Sequence, residues 1–202
     1  MKTVPHWCAL ALGFAARLAC AQPVYSPATG SWYEAILTQN TWTAANSEAA
    51  ATSFRGIPGH LATITTPAEN DFLVDSVLPV HFYGFWIGGK QAGDIEPADG
   101  WEWIKGEPWT FTNWDIGEPN NADLDEDFLQ IYSNWNDAPV PDRRLPGSWN
   151  DIPDGRITHS AGYVIEYTPV PEPAPVILLA GGAFMLLSAR RSDLIRSLVL
   201  LA

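Results

Sequence analysis

After position 21 this chain has no cysteine: its only two, Cys8 and Cys20, fall within the first 21 of 202 residues. That excludes a disulfide framework, a thiolate zinc site and a cysteine nucleophile from residues 22–202. Cations are scarce too. Residues 22–170 hold 6 Lys and Arg (Arg55, Lys90, Lys105, Arg143, Arg144, Arg156) against 21 Asp and Glu, an excess of 15 negative charges. Such a domain repels phosphate backbones and anionic headgroups, which argues against nucleic acid and favours divalent cations. No apolar run reaches the ~20 residues of a spanning helix. No Ser-His-Asp constellation is apparent, and there is no internal repeat. The tripeptide Trp-Asn-Asp occurs twice, at 135–137 and 149–151, but its flanks do not match.

What is present begins with a leader. Lys2, the apolar stretch 7–14 and the small-x-small pattern Ala19-Cys20-Ala21 predict a secretory signal peptide over residues 1–21. The chain is therefore expected to be exported, and without disulfides its domain must be held by its core or by metal. About 150 residues remain before the tail, enough for one domain with a sizeable core. Nine of the ten tryptophans lie after the leader, and large aromatics serve cores first.

Residues 31–37 alternate aromatic and apolar with polar side chains and predict a strand. The alanine-rich stretch 41–54 predicts a first helix, stopped by Gly56, Pro58 and Gly59. His60-Leu61-Ala62-Thr63-Ile64 reads as a short strand. At Thr66-Pro67-Ala68-Glu69, threonine at N-cap, proline at N1 and glutamate at N3 form a capping box that opens a second helix to Val77. Further strands are predicted at 85–89, 100–104, 109–114, 127–131 and 162–167. Two early helices, then short strands and long loops, give an α+β domain whose loops carry its function.

The loop Gly117-Glu118-Pro119-Asn120-Asn121 is crowded with oxygen donors. Calcium takes six to eight oxygens at ~2.3–2.6 Å, mixing carboxylates, amides and backbone carbonyls. A cis bond before Pro119 would aim Glu118 and Asn120 at one point. Glu126 comes just past the loop, and Asn150 and Asp151 precede the last strand. Two carboxylate-amide pairs and a third carboxylate make a cage for calcium. The lack of cysteine and of clustered histidine speaks against zinc. A vicinal diol could displace calcium-bound water while the same carboxylates accept, and the same amides donate, hydrogen bonds to its hydroxyls. A hydrolase with paired carboxylates Glu118 and Glu126 is the enzymatic rival, but both are committed to metal here, so the chain reads as a non-enzyme.

This ordered set resembles the C-type lectin-like domain: Trp86-Ile87-Gly88-Gly89, Asn113-Trp114, Glu118-Pro119-Asn120, Glu126-Asp127, Trp149-Asn150-Asp151 and the closing strand at 162–167. The resemblance spans about residues 31–167 within a domain drawn at 22–168. It implies an α+β C-type lectin-like fold: two helices, short antiparallel sheets, long loops, here without disulfides. Phe128 and Val164 or Ile165 stand where the family has cysteines. It further implies Ca2+ at Glu118, Asn120, Glu126, Asn150 and Asp151, and sugar contacts from Glu118, Asn120, Glu126 and Asn150. The Glu-Pro-Asn version goes with mannose-, glucose- or fucose-type diols. Asp94, Asp99, Asn121 and Asp127 are candidates for an auxiliary metal site. Residues 133–147 resemble an insertion carrying Arg143-Arg144 beside the site. The expected partner is a glycan or exopolysaccharide. The alternative is a calcium-stabilised structural or protein-binding module without sugar.

The tail, residues 169–202, has a proline-rich spacer, an apolar stretch at 176–187 and Arg190-Arg191. Pro171-Glu172-Pro173 with that order of parts resembles the PEP-CTERM sorting signal of Gram-negative bacteria. That resemblance implies a transient membrane anchor, processing by an exosortase and a place at the cell envelope or outside the cell. Residues 192–202 extend past the usual end of such signals.

Overall fold

The computed structural model describes residues 22–80, 83–93, 97–134 and 144–170, with the backbone alone at Asp123. Residues 1–21, expected as a leader, residues 171–202, most of the expected sorting tail, the first Trp-Asn-Asp copy, Arg143 and Asp94 lie outside the described residues. The chain divides into two units after Val170, and every element named below belongs to the first. Among the described residues no helix is long and apolar enough to cross a membrane.

In chain order the strands are β1 (Val24–Tyr25), β2 (Trp32–Ile36), β3 (Ser53–Phe54), β4 (Ile57–Pro58), β5 (His60–Leu61), β6 (Gly84–Gln91), β7 (Trp101–Trp103), β8 (Phe128–Tyr132), β9 (Trp149–Ile152) and β10 (Ser160–Tyr167). The helices are α1 (Trp42–Ala50) and α2 (Pro67–Phe72), the latter continued by a π-helical turn at Leu73–Val77. One sheet runs β1-β2-β10-β6-β8-β9, with β5 also on β10 and β7 also on β6. β10 lies parallel to β6, and the other pairings are antiparallel. The two helices, short strands and long loops are thus as expected; eight strands join one mixed sheet, and β3 with β4 forms a separate antiparallel pair. The last strand inserts between β2 and β6 and welds the two halves together.

Side chains on a strand alternate faces, so a strand buried on both sides divides its residues between two cores. Phe85 and Ile87 of β6, Leu129 and Ile131 of β8 and Val164 of β10 pack with Tyr33, Leu73, Trp103 and Trp149. Their neighbours Trp86, Tyr163 and Ile165 pack on the other face with Leu61, Trp42, Ala45 and Ala49. The last three are the buried stripe of α1, and their spacing at i, i+3 and i+7 is what seats a helix on a sheet. Three buried indoles keep their N–H groups bonded: Trp42 donates to the Ile87 carbonyl, Trp86 to the Asn40 carbonyl and Trp149 to Asn70 Oδ1, each at 2.8 Å.

Three local expectations are corrected. The first helix stops at Ala50, not Phe54, because Ser53–Phe54 pairs with Ile57–Pro58 around a turn with positive φ at Arg55 and Gly56. That twist suits a two-residue hairpin. The turn sets the Phe54 ring 5.2 Å from Trp32 and 5.7 Å from Tyr167. The capping box closes only halfway: Thr66 Oγ1 accepts from the Glu69 N–H, but Glu69 Oε2 accepts from Thr65 N–H at 2.8 Å while its Oε1 takes the Tyr33 hydroxyl at 2.7 Å. Residues 109–114 form no strand. Trp114 makes a lone bridge to Trp149, and Trp109, Phe111 and Trp114 stack their rings on Trp103 and Trp149 at 4.6–6.0 Å. This aromatic wall carries the start of the oxygen-rich loop.

Candidate functional site

The oxygen-rich loop is stitched to β9 before it turns outward. Trp149 N–H donates to the Asn113 carbonyl and Asp115 N–H to the Trp149 carbonyl, both at 2.8 Å. The Gly147 carbonyl accepts from both Asn113 Nδ2 (2.8 Å) and Asn70 Nδ2 (3.1 Å). Gly147 sits at φ +79, and a Cβ there would lie 2.6 Å from Asn70 Nδ2. Glycine therefore lets β9 begin where α2 and the loop both grip it. The Trp149-Asn150-Asp151 copy is itself strand, registered Gln130 to Asn150 and Leu129 to Asp151 on β8.

The loop then folds over Asp151. The Glu118-Pro119 bond is cis. The Asp151 carboxylate, on a residue 1% exposed, accepts from the Asn120 N–H at 3.1 Å and the Asn121 N–H at 2.8 Å. A second clasp lies beside the first. Asn121, left-handed at φ 45, accepts the Glu126 N–H on Oδ1 at 3.0 Å, and Glu126 Oε2 accepts the Ala122 N–H at 2.7 Å. Asparagine is one of the few residues that adopts this conformation cheaply. Asn120 Nδ2 donates to Glu118 Oε2.

The result is a cavity of about 200 Å³ lined by Glu118, Asn120, Glu126 and Asn150, with Tyr83, Tyr132, Arg144, Arg156 and His159 on its remaining wall. Four of the five residues expected as metal ligands thus face one space. Asp151, the fifth, does not line it but presses on Glu118 from beneath. The Glu118 carboxyl is pushed up to about 7, first by burial, then by the Asp151 charge and a hydrogen bond to Asp151 open only to the protonated form, then by Glu126, with Arg144 pulling it back. Glu126 is also raised, chiefly by burial and further by Asp151; the Ala122 N–H and Arg156 oppose this.

This donor set fits calcium. Among the described residues no three His, Cys, Asp or Glu side chains group closely enough to hold a metal ion by themselves, so a cation here must also draw on the amides Asn120 and Asn150. Hard oxygen donors of mixed charge are what calcium accepts. Crowded carboxylates whose charged forms are disfavoured are what a divalent cation relieves. Glu118, Asn120, Glu126 and Asn150 would hold it, while Asp151, expected as the fifth ligand, holds the loop through the Asn120 and Asn121 amides.

Three of the four auxiliary candidates lie among the described residues. Asn121 spends Oδ1 on Glu126 and belongs to the frame of the main loop. Asp99 is exposed in the connection between β6 and β7, where its carbonyl accepts from Gln91 Nε2 at 2.6 Å. The Asp127 carbonyl accepts from the Gln91 N–H at 2.8 Å. Asp94 lies outside the described residues.

Sequence reasoning placed Arg144 near the site but missed Arg156, His159, Tyr83 and Tyr132. The available signal was charge: three of the six basic residues of an acidic domain (Arg143, Arg144 and Arg156) lie within 13 positions of each other, flanking the second Trp-Asn-Asp.

Comparison with known proteins identifies the family of the fold. The Lectin C-type domain model matches residues 38–155. The chain is similar to "C-type lectin domain family 4 member G" of Mus musculus, 30% identical over 124 residues, or 60% of this chain and 40% of that protein. It is also similar to Halomucin of Haloquadratum walsbyi, 31% identical over 125 residues, or 54% of this chain and 1% of that protein. The chain thus spans well under two thirds of these relatives' lengths. Among solved structures it superposes on C-type lectin CEL-I from Cucumaria echinata with TM-score 0.53 at 22% identity, covering 68% of this chain and 90% of that one. It also superposes on the cow carbohydrate-recognition domain of CD23, solved in the presence of a GlcNAc2Man3 oligosaccharide, with TM-score 0.52 at 24% identity, covering 69% and 89%. At these identities the structural likeness speaks for the fold.

Proposed function

Since the chain belongs to the C-type lectin domain family, we propose that it is an exported, calcium-dependent carbohydrate-binding protein. Its ligand is a mannose-, glucose- or fucose-type diol, and its place is the cell envelope or the matrix outside it. The observation that carries this reading is the convergence of Glu118, Asn120, Glu126 and Asn150 on one cavity, over a loop that Asp151 clamps through two backbone amides. Calcium would supply a Lewis-acidic point to which two adjacent hydroxyls add their oxygens. The carboxylates of Glu118 and Glu126 accept from those hydroxyls, and the amides of Asn120 and Asn150 donate to them. Every polar group is then shared between ion and sugar, so the chain is a binder and not an enzyme. A single site of this kind gives affinities of about millimolar, or ~4 kcal/mol, and firm adhesion requires multivalent display. The leader at 1–21 and the PEP-CTERM-like tail support export and a transient membrane anchor handled by an exosortase in a Gram-negative envelope.

A second reading, a calcium-stabilised protein-binding module, is favoured by the exposed side chains of Ile116 (86%) and Leu124 (84%) on the same loop. Exposed apolar groups beside a site suit a protein partner. Calorimetric titration of the intact chain with calcium, with and without methyl α-mannoside, decides between the two. We expect calcium binding and a calcium-dependent sugar response, both lost in Asn120→Ala. Calcium binding with no response to any vicinal diol would leave the protein-binding module. No calcium binding would refute both.

A further inference from the structure

We propose that the sugar this site prefers is acidic: a uronic acid whose ring diol meets Glu118, Asn120, Glu126 and Asn150 and whose carboxylate is received by Arg144 and Arg156. The inference rests on the carbohydrate-binding reading above and narrows its ligand class.

The distribution of positive charge is the first observation. The described part of this strongly acidic domain has five Lys and Arg, and two of them line the cavity that the loop encloses. The other three lie elsewhere: the Arg55 guanidinium sits 4.3 Å over the Trp32 ring, Lys90 pairs with Glu102 at 3.0 Å, and Lys105 comes just after β7. Two of the five thus stand beside the carboxylates proposed to hold the ion.

The second observation is how those guanidinium groups are held. Arg144 Nη1 stands 3.6 Å from Asp115 Oδ2, and its guanidinium lies 5.8 Å from the centre of the Tyr132 ring. Its Nε–H is buried with no acceptor. Arg156 Nη1 stands 3.5 Å from Glu126 Oε1. Direct charge-assisted bonds close to ~2.7–2.9 Å, often as two parallel contacts. The Asp115 contact is looser than that, and together with a hydrogen bond to the Tyr83 hydroxyl it orients the Arg144 guanidinium while leaving its Nε–H without an acceptor. A buried guanidinium N–H with no acceptor costs free energy, which an incoming anion recovers. A planar carboxylate is the shape that a guanidinium fork receives best. With calcium on Glu118 and Glu126, those carboxylates are neutralised, and the arginines beside them favour an anion over a neutral group.

The test compares methyl β-glucuronide with methyl β-glucoside. Their ring hydroxyls are the same, and they differ only at C6. Each is titrated into the intact calcium-loaded chain, and the ratio of the two dissociation constants is read within each variant, so that a general loss of affinity cancels. In the wild-type chain the glucuronide is expected to bind roughly fivefold to tenfold tighter, the scale of one partly exposed charge-assisted pair. The ratio should shrink in Arg144→Gln and in Arg156→Gln, and approach one in the double variant. Equal affinities in the wild-type chain would overturn the inference and leave the lectin reading standing. A preference that survives in the double variant would also overturn it, because the sugar carboxylate would then be sitting on the ion. Calcium binding with no heat from either sugar would overturn the lectin reading and this inference together.

Discussion

If Glu118 holds calcium as proposed, a proton competes with the ion for its carboxylate, and the crowding around that carboxylate sets the strength of the competition. Burial, Asp151 and Glu126 together place its carboxyl at about 7. When a ligand binds only the ionised form, its apparent dissociation constant is multiplied by 1 + 10^(pKa − pH), which for a group at about 7 is about 30 at pH 5.5 and about 1 at pH 8.5. An ordinary glutamate near 4.3 would contribute a factor of only about 1.1 at pH 5.5. Calcium affinity is therefore expected to fall about 30-fold between pH 8.5 and 5.5, and Glu126, shifted in the same direction, can only deepen the fall. The linked effect on folding has the opposite sign. The folded state holds the Glu118 proton more tightly than the unfolded chain does, so its contribution to stability in chelator is present below ~4.3 and is lost as pH rises through 7. Calorimetry at four pH values on the intact chain measures the first effect. Glu118→Gln should weaken binding and flatten the pH slope together. An affinity that stays constant from pH 8.5 to 5.5 would refute the claim that this carboxylate is crowded by Asp151 and takes part in holding the ion.

Two further predictions concern the frame. Glu69 and Glu166 are buried and share the Tyr33 hydroxyl, at 2.7 and 3.3 Å. The Glu69 carboxyl is raised by burial first, and the Glu166 charge adds to it, so this pair too weakens the fold as pH rises. Glu166→Gln keeps an oxygen for the Thr63 N–H and an amide for Thr168, and removes one of two like charges. It should stabilise the chain by about 1–2 kcal/mol at pH 8 and by nearly nothing at pH 4, where Glu69 carries its proton. Urea unfolding in chelator, followed by tryptophan fluorescence, measures the difference, and a variant destabilised equally at both pH values contradicts it. Gly147→Ala must adopt φ +79 and drive a methyl against Asn70, which bonds both the Gly147 carbonyl and the Trp149 indole. The expected loss is about 2–4 kcal/mol, with weaker calcium binding because β9 carries Asn150 and Asp151. A loss under ~0.5 kcal/mol in the same unfolding assay would show that the glycine is not needed there.

The parts of this protein that were legible in its sequence are those decided by neighbours along the chain. Thr41 and Thr66 announce helix starts because an N-cap bonds an amide two or three positions on, and both do so. Alternation along β2 is visible because the side-chain period is a property of each strand alone. The loop donors Glu118, Asn120 and Glu126 stand out because they are close in sequence. What was not legible depends on partners far away. The segment Trp149–Ile152 carries two polar residues in four and becomes a strand only through its ladder with β8. The segment 109–114 has strand-like aromatics but spends them on a wall of tryptophan rings instead of a ladder. Glu69 matches a capping box in sequence, yet Tyr33, 36 positions back, and Glu166, 97 positions ahead, decide where its carboxylate goes. Arg156 obeys the same rule: alone it is one more surface cation, and it gains meaning only when β9 and the loop after β7 place it on Glu126. Local pattern thus points to a cation-binding loop, whereas the proposed preference among sugars rests on contacts that exist only once the sheet has closed.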